Sequence, residues 1–166
     1  MSKPIVGTPR IALLGIPLEI GASQRGTLMG PDALRTAGIG RVLGQLGFAV
    51  EDHGNLAISA VSAAEGPSPA HARYYDEIKT WIRALSERAF ELARTGSIPV
   101  FMGGDHSLSM GSVNGVARYW KEQGRPLFVL WLDAHADYNT PDTTETGNMH
   151  GMSAAFLTGE PGLDGL

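Results

Sequence analysis

The run WLDAHADYN, residues 131 to 139, sets Asp133, His135 and Asp137 on alternate positions directly behind the apolar stretch PLFVLWL. In extended chain, alternate side chains share a face, so this spacing aims two carboxylates and an imidazole into one small volume. Carboxylates gathered without a counter-charge raise each other's pKa. Between Gln123 and Leu166 the sole Lys or Arg is Arg125, ahead of the apolar stretch, so a divalent cation is the natural neutraliser. Oxygen and imidazole donors without sulfur suit Mn²⁺, Zn²⁺, Fe²⁺ or Co²⁺ better than Ca²⁺ or Mg²⁺.

A second motif, FMGGDHS, has the same style. Gly103 and Gly104 permit a sharp turn with the backbone close to a neighbour. Asp105 and His106 follow, so His106 is placed to reach the same site from another strand end. Asp105 either orients His106 as an acceptor or caps the helix that starts there. Each motif alone also fits a turn or a helix cap. Two of them on successive strand ends make metal binding the stronger reading. His53 and His71 stand alone in loop-like surroundings and read as surface residues. The segment NTPDTTETGNMHGMS offers polar groups for a small zwitterionic substrate, and His150 as a group that can move protons. Its composition also suits a plain solvated loop.

The elements that must position these residues alternate along the chain. RIALLGIP (10–17), FAVEDHG (48–54), SIPVFMGG (97–104) and PLFVLWL (126–132) read as short buried strands. PDALRTAGIGRVLGQLG (31–47) reads as a glycine-weakened helix with Pro31 in its first turn. RYYDEIKTWIRALSERAFELARTG is the clearest helix, with Tyr75, Ile78, Ile82, Leu85, Ala89 and Leu92 as one apolar stripe and Gly96 after its last turn. A further helix follows Asp105. This order predicts an α/β fold with a mostly parallel sheet covered by helices, and ligands at the carboxyl ends of its strands. Residues 55 to 72, rich in Ala, Ser and Pro, read as a surface loop. FLTGEPGLDGL carries no closing helix or strand.

Composition narrows the class. The chain has 166 residues, 43% hydrophobic and 18% charged, with a formal net charge of -4. That is a globular composition of single-domain size. It has no basic patch for nucleic acid and no apolar run of the roughly 18 residues a membrane span needs. Cysteine is absent, which excludes thiolate ligands and fits a reducing cytosol. A soluble cytoplasmic protein is expected.

GGDHS, DAHAD and TGNMHG, in this order and spacing, resemble the ureohydrolase family, and its arginase branch in particular. GASQRGTLMGPDALRTAGI is similar to the matching N-terminal segment. The Gly-Asn-Met-His-Gly run favours the arginase branch over agmatinase; another ureohydrolase activity, agmatinase or guanidinobutyrase, is the alternative. The resemblance implies a three-layer αβα fold and hydrolysis of L-arginine to L-ornithine and urea by a bridging hydroxide on two Mn²⁺ ions. It implies that His106 and Asp137 bind one ion, that His135 binds the other, and that Asp133 bridges both. Asp137 would also hydrogen-bond the hydroxide. His150 matches a proton-shuttling histidine, and Asn139, Thr144 and Thr146 match positions that hold the substrate α-carboxylate. Thr146 stands where the family usually has Ser. Ser153 stands where it often has Pro, which predicts a looser loop.

Family members are about twice as long. Their second half supplies an Asp-x-Asp pair to the metals, a glutamate to the guanidinium, and two strands between the third and fourth strands of this chain. Nothing after Gly151 matches these, and Glu160 and Asp164 are single acids in a Gly/Pro tail. The sequence is thus expected to be the N-terminal part of one ureohydrolase domain, spanning residues 1–166. Weak metal binding and little hydrolysis are expected of it, or a non-catalytic metal-binding role. Trimers or hexamers are implied for the complete protein.

Overall fold

The computed structural model describes residues 7–58, 69–163 and 165–166. Most of the expected Ala/Ser loop, residues 59–68, lies outside the described residues, as does Asp164.

Three parallel strands form the sheet: β1 (Arg10–Ile16), β2 (Ala49–Asn55) and β3 (Ile98–Gly103), in the order β2-β1-β3. As the central strand, β1 needs apolar residues on both faces, and its continuous apolar run supplies them. Ala12, Leu14 and Ile16 pack with Leu85, Leu92 and Leu108 on one face. Ile11 and Leu13 pack with Met102 on the other, against Ile39 and Leu43. These two cores belong to helices on opposite sides of the sheet, so the architecture is the expected three-layer α/β arrangement.

On one side lie α1 (Gly30–Thr36) and α2 (Ile39–Gln45). The single helix expected over 31–47 is divided at Gly38, whose φ of 89° no right-handed helix accommodates. On the other side lie α3 (Tyr75–Arg94) and α4 (Leu108–Glu122). The whole expected stripe of α3 is buried. α4 approaches it closely because Gly111 and Gly115 face Ile82 and Ser86 without a side chain between the backbones.

Two regions differ from expectation. Residues 126–132 form no strand, and Phe128, Leu130 and Leu132 are 85%, 68% and 85% exposed. An apolar run becomes a strand only when a neighbour takes up its N–H and C=O groups, and this one has no partner in the described sheet. In the tail, a 3₁₀ turn (Met149–Met152) leads into a short α5 (Ser153–Thr158). Met149, Met152 and Ala155 are fully buried in a cluster with Tyr75, Ile78, Ile82 and Met110. That burial makes a helix of a segment with little helical pattern. Among the described residues, no helix is long and apolar enough to cross a membrane.

Candidate metal centre

The exits of β1 and β3 are tied together. The Gly104 N–H donates to the Ile16 carbonyl at 3.1 Å, and the Asp105 N–H to the Leu18 carbonyl at 2.7 Å. A Cβ on Gly104 would collide with the Leu18 backbone, which explains a glycine at the turn that sequence alone could only suggest. The buried Asp105 carboxylate accepts the N–H groups of Gly21 at 2.8 Å and Ser107 at 2.9 Å. It thereby anchors the glycine-rich loop that follows β1 (residues 17–26, with Gly21 and Gly26) and the approach to α4, and it delivers His106 to the sheet edge.

There His106 meets the DAHAD segment. Its Nδ1 lies 2.7 Å from Asp137 Oδ2 and 3.1 Å from Asp133 Oδ2. Among the described residues, His106, Asp133 and Asp137 offer ligand atoms that all lie within 4.8 Å of one another. Trp131 stacks on the His106 ring at 4.8 Å between centroids. Asp137 takes a left-handed conformation, φ 49°, which Asp tolerates better than most residues. Its carbonyl holds that conformation by accepting the N–H groups of Ala154 at 2.9 Å and Ala155 at 3.3 Å.

The donor set fits a divalent cation. Asp137 Oδ2 is buried and receives no hydrogen bond of sound geometry, although His106 Nδ1 is so near. A buried carboxylate oxygen without a donor is costly unless something positive shares its volume. His135 stands apart from the trio. Its side chain is 83% exposed, and its Nδ1 is 3.4 Å from Asp133 Oδ1. Alternation along an ideal strand would have turned all three residues the same way; the bend at Ala134 and His135 and the left-handed Asp137 interrupt it.

The expected mutual rise in carboxylate pKa is corrected at Asp133. The His135 N–H, 2.8 Å from Oδ1, holds this carboxyl below its ordinary range, with the His106 and His135 imidazoles adding to the effect. Local donors thus do part of what sequence reasoning assigned to a cation.

His106, Asp133, His135, Asp137, Asn139, Thr144, Thr146 and His150 all line one cleft of about 710 Å³. The His150 N–H is held by the Gly21 carbonyl at 3.1 Å, and Asn139 N–H by the Gly151 carbonyl at 3.1 Å. His53 lies away from this cleft, with Nδ1 3.0 Å from Arg88 Nη2. Sequence reasoning missed Asn148, which lines the cleft and donates to Ser23 Oγ at 2.7 Å, and the Trp131 shelf. Asn148 sits beside Met149 in the quoted motif, but only the fold brings Ser23 to it. The expected loosening at Ser153 is not found: this residue is fully buried and hydrogen-bonded.

Comparison with known proteins identifies the family. The family model described as the arginase family matches residues 9–165. An arginase of Agrobacterium fabrum is 49% identical over 154 residues, covering 93% of this chain and 47% of that protein. The structure of the arginase from Bacillus caldovelox superposes with a TM-score of 0.77 at 32% identity, covering 94% of this chain and 53% of the other. An Entamoeba histolytica arginase in complex with L-ornithine gives 0.72 at 28% identity, covering 88% and 47%. The chain therefore spans about half the length of the relatives it matches. A parallel αβα sheet, a His/Asp cluster at its rim and these likenesses make one case: the chain belongs to the arginase family.

Proposed function

We propose that this chain carries part of an arginase-type centre for hydrolysis of L-arginine to L-ornithine and urea, with manganese as its metal. The observation that carries the reading is the convergence of His106, Asp133 and Asp137 around a buried carboxylate oxygen that lacks a donor. The arginase names of the relatives support the reaction class, and the ornithine bound to the Entamoeba protein supports the substrate class.

In this reading His106, Asp133 and Asp137 hold one ion, and the exposed His135 beside Asp133 joins a second. Bound manganese supplies the positive charge that lets water lose a proton near neutral pH. The substrate end is read from donor counting. Thr144 Oγ accepts the Gly147 N–H at 3.0 Å, and Thr146 Oγ accepts the Asn148 N–H at 3.2 Å. Each hydroxyl hydrogen remains available to donate. Asn139 Oδ1 accepts from Thr143 at 3.3 Å, which leaves its amide N–H₂ to donate as well. Three donors suit a carboxylate, which arginine has and agmatine lacks. His150, half-buried in the same cleft, moves a proton to the departing amine. Among the described residues the first ion has three protein ligands, fewer than the roughly six that Mn²⁺ prefers, so water fills the remaining positions and weak binding is expected.

The test is a Mn²⁺ titration of the purified chain followed by electron paramagnetic resonance, with urea release assayed on arginine and on agmatine. Asp137→Asn is expected to weaken Mn²⁺ binding more than about tenfold, since loss of mere supporting groups already costs that much. Equal binding by both proteins sinks the metal reading. Faster turnover of agmatine than of arginine sinks the substrate reading in favour of another ureohydrolase activity.

A further inference from the structure

Ser153 is fully buried at the first position of α5, two residues after Gly151 of the cleft lining. Its Oγ donates to the His106 carbonyl at 3.0 Å, across 47 positions of chain, and lies 3.4 Å from the His150 carbonyl. One hydroxyl thus touches the peptide groups of both the metal-facing imidazole and the imidazole assigned to proton movement. We infer that the Ser153 hydroxyl is a positioning residue that fixes His106 and His150 relative to each other.

The surroundings explain why a hydroxyl matters there. The His106 carbonyl also accepts the Ser109 N–H at 3.1 Å, so Ser153 fills its second lone pair and sets the plane of the peptide that carries the His106 side chain. At the other end, the His150 N–H is fixed by Gly21, whose own N–H is fixed by Asp105. His150 is thereby held on its N–H side by the glycine-rich loop, and three residues on by the Ser153–His106 bond; the single hydroxyl hydrogen goes to His106, and the His150 carbonyl at 3.4 Å shares it only weakly. The bond runs between the start of α4 and the start of α5, and it adds a directional link to the non-directional packing of Met110 against Met152 and Ala155. A misplacement of about 1 Å is enough to spoil a metal or proton-transfer geometry.

The backbone at Ser153 allows the hydroxyl to be tested separately from loop stiffness. Its φ of -64° is the value proline adopts, and it opens α5, where proline is favoured. Ser153→Pro keeps a stiff turn and removes the hydroxyl; Ser153→Ala removes the hydroxyl alone.

The inference rests on the proposed metal reading only in its second readout. The first is the ring ¹⁵N–¹H spectrum of the five histidines in the metal-free chain. Ser153→Ala is expected to move the His106 and His150 ring signals together while those of His53 and His71 stay in place, and Ser153→Pro is expected to do the same. The second is Mn²⁺ affinity, which should fall about tenfold in both variants, the scale seen when a supporting hydrogen bond is lost. Unmoved His106 and His150 signals overturn the inference. So does a proline variant that restores the wild-type spectrum, because stiffness and not the hydroxyl would then be the cause. A wild-type chain that binds no Mn²⁺ refutes the proposed function, and the ring signals still decide the role of Ser153.

Discussion

Two apolar runs of this chain have similar composition and opposite surroundings. RIALLGI becomes β1, between two partner strands and under helices on both faces, and its last six residues are all buried. PLFVLWL has no strand partner among the described residues, and its Phe128, Leu130 and Leu132 are exposed. The difference is not propensity, since the unpaired run, with Phe128, Val129 and Trp131, is the richer of the two in strand formers. It is whether neighbours exist to take up backbone hydrogen bonds and cover side chains. The well-packed region supplies His106 to the centre, and the exposed one supplies Asp133 and Asp137. The centre thus joins a packed strand exit to a segment that follows an exposed apolar run.

The sharpest way to break this comparison is to make the same cut in both runs. Leu14→Ala, in the core against α3 and α4, is expected to cost about 3 kcal/mol in urea unfolding. Leu132→Ala, at an 85% exposed site, is expected to change stability by less than about 0.5 kcal/mol. Equal costs would mean that residues 126–132 are covered in solution, and the contrast would fail.

A second test concerns the cover over β1. Gly115 of α4 is packed against α3 so closely that an added Cβ would lie 2.7 Å from the Ala89 Cβ and 2.9 Å from the Phe90 backbone nitrogen. Gly115→Ala should gain helix propensity and lose more to overpacking, for a net loss of about 2 kcal/mol by thermal or urea unfolding. Gly44→Ala, where nothing lies within 4 Å, is the control expected to be neutral or stabilising. Loss at both sites would point to backbone strain, not helix contact, as the cause.

The same contrast explains how far the sequence could be read. The strands β1 and β3, the stripe on α3 and the turn at Gly104 follow from local pattern, because each is decided by residues close in the chain. The cleft-lining side chains were legible as motifs: residue types and spacing marked His106, Asp133, His135 and Asp137, and the family resemblance marked Asn139, Thr144 and Thr146, although no strand leads into Asp133. What was illegible depends on distant partners. The division of the helix at Gly38 was visible as weakness but not as a break. The failure of residues 126–132 to pair reflects what lies beside them. α5 forms because Met149, Met152 and Ala155 find the α3 surface. The convergence of Asp133 and Asp137 without His135 depends on a left-handed residue that alternation does not foresee, and the lowered Asp133 pKa depends on one backbone N–H.

The smallest expected effect lies at the other neighbour of β1. Asp52 on β2 is clamped by Arg35 of α1, with Nε 2.8 Å from Oδ2 and Nη2 2.9 Å from Oδ1. The Arg35 guanidinium holds this carboxyl below its usual range, and the Gly54 N–H at 2.9 Å assists. A lowered folded-state pKa contributes stability that is fully present above the unfolded value, near 3.9, and is lost as pH falls through the folded value. The Asp52 side chain is 40% exposed, so screening reduces the contribution to about 0.5 kcal/mol. Urea midpoints of the wild type and of Asp52→Asn should therefore differ slightly near neutral pH and converge as the solution is acidified below the unfolded carboxyl pKa. Added salt should narrow the neutral-pH gap. A gap that persists unchanged in acid would show that shape and hydrogen bonding, which Asn shares with Asp, and not the ion pair, fasten β2 beside β1.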